Sequence, residues 1–165
     1  MSKLDFIKKL YNGKNCYSDH MTEEELKLLH ISSKVENLIC EMLRKGKIVF
    51  LTGNPGDGKT FIIKAIKDVI ASTNAYTKFD MNSETEYVAV AREIAACYSE
   101  QRPAVIAINE YPFMKLCQDL RLVSPEVTQE INTAKKSAIT YDLSSPLTGR
   151  VAVIDLNERN ILDTD

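Results

Sequence analysis

Apolar residues along this chain fall into two alternating rhythms. One is the short unbroken run. Lys47-Ile48-Val49-Phe50-Leu51-Thr52, Ala104-Val105-Ile106-Ala107-Ile108 and Val151-Ala152-Val153-Ile154-Asp155-Leu156 each read as a strand covered on both faces. Ala75 to Phe79, ending at Asp80, is a further strand of more peripheral character, because Thr77 and Lys78 interrupt it. The other rhythm is helical. Val35, Leu38, Ile39, Met42 and Leu43 share one face, with Ser33 and Glu36 spaced as a capping box and Gly46 closing the segment. Phe61, Ile62, Ile63, Ala65, Ile66, Val69 and Ile70 predict a helix from Phe61 to Ile70. Ser83 with Glu86 opens a helix from Tyr87 to about Ser99, and Pro112 suits the first turn of one running through Leu116 and Leu120. Upstream, Leu4 to Leu10 and the segment from Thr22 and Glu25 to Leu29 read as short helices separated by a break at Tyr11 to Asn15. Val123 to Gly149 is mixed and weakly patterned.

The resulting order, strand and helix in alternation, predicts an α/β fold: a three-layer sandwich with a parallel sheet between helices. Ligands of such sheets bind at the carboxyl ends of the strands. Residues 1–46 form a helical segment packing on a core of residues 47–165.

Composition narrows the class without naming a partner. At 165 residues, 44% apolar and 27% charged, the chain has the make-up of one soluble globular domain. A net charge of −2 supplies no electrostatic argument for a nucleic-acid surface. No apolar run approaches the roughly 20 residues of a membrane span, and the first residues lack a secretory core. Cys16, Cys40, Cys97 and Cys117 are scattered, without a C-x-x-C pair, and read as reduced thiols of a cytoplasmic protein. His20 and His30 have no ligand-like neighbours in sequence.

The chemistry lies between the first core strand and the helix after it. Gly53-Asn54-Pro55-Gly56-Asp57-Gly58-Lys59-Thr60 fits the phosphate-binding pattern G-x-x-x-x-G-K-[ST] in its required strand–loop–helix setting. Glycines let the loop turn so that backbone N–H groups face an anion, and the following helix adds its positive end. Lys59 reaches the β- and γ-phosphates of a nucleoside triphosphate, and the Thr60 hydroxyl is placed to ligate Mg²⁺. Gly53 to Phe61 are therefore the expected nucleotide-binding residues.

Hydrolysis needs more than a cradle: a group near the Mg²⁺ and one to orient the attacking water. The strand Ala104 to Ile108 ends in Asn109-Glu110, an apolar run followed by a polar–acidic pair. Glu110 suits the water-polarising base, with Lys59 as its catalytic partner. Asn109 stands where an Asp would serve the Mg²⁺ better, since an amide hydrogen-bonds a metal-bound water but brings no charge. Asn157, at the tip of the last strand, is a candidate sensor of the γ-phosphate, with Asp155 a rival in the same region. Arg150 and Arg159 are possible phosphate contacts and Asp80 is a weaker acid.

Taken in order, the loop, the Asn109-Glu110 strand end and Asn157 resemble the Walker A, Walker B and sensor 1 elements of AAA+ ATPases, within the P-loop NTPases. The similarity spans about Ile48 to Asn160. The wording around the loop and Ala107-Ile108-Asn109-Glu110 is also similar to large ATPases of bacterial DNA restriction and phage defence, including the phosphorothioation-dependent type. The resemblance implies ATP rather than GTP, Mg²⁺, action within a homo-oligomer or larger complex, and DNA as a partner through other domains. It also implies a sheet order of 5-1-4-3-2, with the sensor strand between the other two. The chain has no counterpart of the family's fifth strand or helical lid, so it is expected to be the front part of a larger ATPase. Its sheet edge beside the loop strand would be uncovered and its turnover weak. Two other readings stand beside this one: a nucleotide-gated switch with little turnover, favoured by Asn109, and a small-molecule kinase. The kinase is disfavoured because Val123 to Gly149 carries only Lys135 and Lys136 as basic residues.

Overall fold

The structure, a computed structural model, describes residues 34–79, 84–136 and 149–158. The short helices expected before residue 34 lie outside these, as do Cys16, His20, His30, Ser33, Asp80, Ser83, Arg159 and Asn160. Six α-helices and four strands are present among the described residues: α1 (Lys34–Arg44), β1 (Ile48–Thr52), α2 (Lys59–Ala65), α3 (Lys67–Thr73), β2 (Tyr76–Lys78), α4 (Glu84–Ser99), β3 (Ala104–Ala107), α5 (Glu110–Val123), α6 (Pro125–Lys136) and β4 (Val151–Asp155).

The sheet is parallel, in the order β2-β3-β1-β4. Its pleat divides the apolar runs between two cores. Ile48, Phe50, Ala104, Ile106, Val151 and Val153 face α4, α5 and α6. Val49, Leu51, Val105, Ala107, Ala152 and Ile154 face α1 and α2. Both faces are thus covered, which is why the runs of β1, β3 and β4 are continuously apolar, with every residue of β1 and β3 buried. Among the described residues no helix is long and apolar enough to cross a membrane.

Four expectations are corrected here. The sheet does not have the 5-1-4-3-2 order implied by the resemblance: β3 pairs directly with β1, and β4 lies on the other side of β1. β1 is consequently interior, so the uncovered edge expected beside it does not exist; β2 and β4 are the edges of the described sheet. The helix expected from Phe61 to Ile70 is two. Ile66 leaves helical geometry at φ −98, ψ 14 and serves as the C-cap of α2 and the N-cap of α3. Finally, the weakly patterned stretch after Val123 holds α6, which buries Val127 and Ile131 on the α4–α5 side.

The amino end of β4 is held by an acidic clasp from α6. Glu130 Oε2 accepts the backbone N–H groups of Arg150 (2.6 Å) and Val151 (2.8 Å), while Oε1 accepts the Tyr98 hydroxyl at 2.7 Å. This last bond is the main reason the Tyr98 phenol titrates above its ordinary value, with desolvation by burial second. Arg150 donates to the Tyr98 carbonyl and to the Gly46 carbonyl, and lies over the Tyr98 ring. Arg150 therefore works at the end of the sheet opposite the Gly53–Thr60 loop, away from a phosphate bound in that loop. Glu130→Ala removes a charged acceptor of three bonds and is expected to destabilise the fold by about 2–3 kcal/mol. Thermal unfolding measures this, and Glu130→Gln, which keeps one acceptor oxygen, should lose less.

Candidate phosphate-binding site

Chain direction locates the site before any side chain does. The segment leaving β1 passes to α2 and α3 on one face of the sheet, and the segment leaving β3 passes to α5 on the other. β1 and β3 are neighbours, so their carboxyl ends flank the crevice where parallel sheets bind ligands. The loop rises from β1 into this crevice.

Its backbone depends on glycine. Gly53, Gly56 and Gly58 have φ of 145°, 94° and 84°, which other L-residues rarely adopt. Pro55 and Gly56 are the centre of a turn closed by the Asp57 N–H on the Asn54 carbonyl at 3.3 Å. A methyl group at Gly56 or Gly58 would meet nothing within 4 Å, so these positions need glycine for conformation and not for room. Gly53 needs it for both: a Cβ there would stand 2.6 Å from Asp57 Oδ2 and 3.3 Å from Leu156 Cβ. Gly58→Ala is thus expected to lower stability by about 1–2 kcal/mol through φ alone, read by denaturant unfolding, with the loop pulled off its present path.

Gly58 is the N-cap of α2, so Lys59 and Thr60 occupy the helix's first two positions. Lys59 is only 8% exposed, unusual for a lysine. Its ammonium folds back across the loop and donates to the Asn54 carbonyl at 2.6 Å. Asn54 is the hub of the loop. Its backbone N–H donates to Asp57 Oδ2 at 2.5 Å and more weakly to Asn157 Oδ1 at 3.3 Å, and its side-chain amide donates to the same Asn157 oxygen at 2.6 Å.

Asn157 is thereby tied to the loop, and β4 reaches β1 from the side away from β3. It sits in a short 3₁₀ turn, Leu156–Glu158, started by its own N–H on Asp155 Oδ1 at 2.9 Å. Asp155 pairs in register with Thr52, and the Thr52 hydroxyl donates to the Ile154 carbonyl at 3.4 Å. The Asp155 carboxylate is engaged in shaping this turn.

On the other flank, the Ile108 N–H donates to the Leu51 carbonyl at 3.0 Å, extending the β1–β3 ladder by one step. Asn109 and Glu110 follow immediately, one and two steps beyond the Thr52–Ile108 level. Asn109 is the N-cap of α5, its backbone extended (φ −73°, ψ 162°), and Glu110 is the helix's exposed first residue. Pro112 falls in the same first turn, where its missing N–H has no intrahelical partner to lose.

The sheet therefore brings Lys59, Thr60, Asn54, Asp57, Asn109, Glu110 and Asn157 to one end. Among the described residues no group of three His, Cys, Asp or Glu side chains could hold a metal ion. The Thr60 hydroxyl, the Asn109 amide oxygen and the nearby carboxylates are hard oxygen donors. Donors of this type suit Mg²⁺, which usually keeps several waters and takes few protein ligands. The described thiols, Cys40, Cys97 and Cys117, are free and lie in the packed layers, with burial raising the pKa of each. Comparison with protein-family models, with curated proteins and with solved structures finds no match.

Proposed function

We propose that this chain binds a nucleoside triphosphate with Mg²⁺ through the Gly53–Thr60 loop and acts as an NTPase module with slow intrinsic turnover. The observation that carries the reading is the buried Lys59 ammonium on the Asn54 carbonyl, inside a loop whose three glycines take positive φ, between a central strand and a helix start. That carbonyl is a neutral acceptor for the cation. Phosphate oxygens brought into the loop are a stronger one.

In this proposal Lys59 holds the β- and γ-phosphates, and the loop N–H groups bind the remaining charge. Thr60 and Asn109 would hold the Mg²⁺, which would neutralise charge building on the phosphates. Glu110, at the start of α5 beside the loop, orients water and accepts its proton. ATP as the nucleotide, an oligomeric assembly and a role in DNA restriction enter from the AAA+ resemblance alone. The strand order weakens that resemblance, leaving the loop and the Asn109-Glu110 strand end as its substance.

A second reading is a nucleotide-gated switch with little turnover. It is favoured by Asn109, which offers the cation no charge. One experiment separates the two: equilibrium binding of ATP and GTP with and without Mg²⁺, followed by turnover across a range of protein concentrations. Mg²⁺-dependent binding with turnover supports the NTPase, and binding without turnover at any concentration supports the switch. No binding of either nucleotide overturns both.

A further inference from the structure

The loop carries a negative charge of its own at the place where an anion would bind. Asp57 Oδ2 accepts the Asn54 N–H at 2.5 Å, and the same oxygen lies 2.6 Å from the point where a Cβ on Gly53 would stand. The carboxylate is thus folded over the start of the loop, against Gly53, and takes up a backbone donor of the kind that loops of this shape turn toward phosphate. The other polar groups of Asn54 are engaged too, its carbonyl by Lys59 and its side-chain amide by Asn157. Asn54 is held from three directions, and Asp57 supplies the only anion among them.

We propose that Asp57 is an internal competitor for the phosphate position, a latch whose carboxylate must leave the Asn54 N–H before a nucleotide can take it. The inference rests on the nucleotide-binding reading. Its physics is simple. Two anions on one N–H donor repel strongly at hydrogen-bonding distances, so carboxylate and phosphate exclude each other there. Asp57 is a short side chain at a half-buried loop position, and in this proposal rotation about χ1 carries the carboxylate away. The nucleotide affinity of the chain is then the intrinsic affinity of the open loop reduced by the fraction of time the latch is closed. Asn157 backs the closed arrangement by accepting from both amides of Asn54.

Simple charge repulsion by Asp57 would also weaken nucleotide binding, so affinity alone does not decide. The test pairs two measurements on wild type, Asp57→Ala and Asp57→Asn: calorimetric affinity for Mg-ATP, and hydrogen exchange of the Asn54 amide in protein without added nucleotide. The latch predicts that Asp57→Ala binds about tenfold more tightly and that its Asn54 amide exchanges several-fold faster. Asp57→Asn, which keeps a neutral acceptor in place, should fall between wild type and Ala in both. Unchanged or weaker binding in Asp57→Ala overturns the latch. So does tighter binding with Asn54 exchange unaltered, which identifies plain repulsion. If wild type and both variants are folded and none binds Mg-ATP, the nucleotide reading itself has failed. Binding of equal strength in all three removes the latch only.

Discussion

Lys59→Ala is expected to abolish measurable nucleotide binding while leaving the fold intact. Lys59 is nearly buried, and its ammonium contacts a backbone carbonyl that water can also serve, since Asn54 is exposed. Removing the side chain is expected to cost the fold about 1 kcal/mol, the centre of the usual range for point mutants. A triphosphate loses much more, namely the one cation that the loop sets against its β- and γ-oxygens. Charge-assisted hydrogen bonds of this kind are about twice as strong as neutral ones. The expected loss is at least about a hundredfold in Kd, about 2.7 kcal/mol. Calorimetry with Mg-ATP, accompanied by thermal unfolding, measures both quantities. Wild-type affinity in a folded Lys59→Ala would remove the loop from the account.

Glu110→Gln is expected to separate binding from turnover. Glu110 is an exposed first residue of α5, where a carboxylate gains about 0.3–1 kcal/mol from the helix dipole. The variant should therefore fold almost as well as wild type and bind Mg-ATP with similar affinity. Turnover should fall by about 10²–10⁴, the usual contribution of a positioned general base. Single-turnover hydrolysis gives the comparison free of product release. A variant that hydrolyses at the wild-type rate would assign the water elsewhere and leave Asn109-Glu110 as a helix start.

The parts of this molecule that sequence makes visible are those set by burial on both sides. β1, β3 and β4 are legible because a strand between two helical layers has no polar face to break its run. Strand order is not legible that way. The pleat says which core a residue faces and nothing about its lateral neighbour, so the pairing of β1 with β3 had to come from the structure. The break at Ile66 is silent for a related reason. Ile62, Ile63, Ile66, Val69 and Ile70 all pack on the same core on both sides of it, and neither Gly nor Pro marks the place. α6 was obscured by its narrow apolar stripe, with Val127, Ile131 and Ala134 set among Glu, Thr, Gln and Asn. Its start was nonetheless written in Ser124-Pro125-Glu126, a buried serine before a proline at the first helical position. At the site, the glycines and Lys59 were legible from spacing. The Asn54 hub and the folded Asp57 were not, because they depend on rotamers and on the approach of Asn157 from a strand a hundred residues away.

The central claim is that phosphate enters this loop. The most direct measurement is the backbone amide NMR spectrum of isotope-labelled wild type, titrated with Mg-ATP. If phosphate enters the loop, the largest shifts fall on Asn54, Gly56, Gly58, Lys59 and Thr60, with smaller ones at Asn109 and Asn157 and none at Glu130 or Arg150. A titration that leaves the loop amides in place, or moves only residues at the amino end of the sheet, would contradict it.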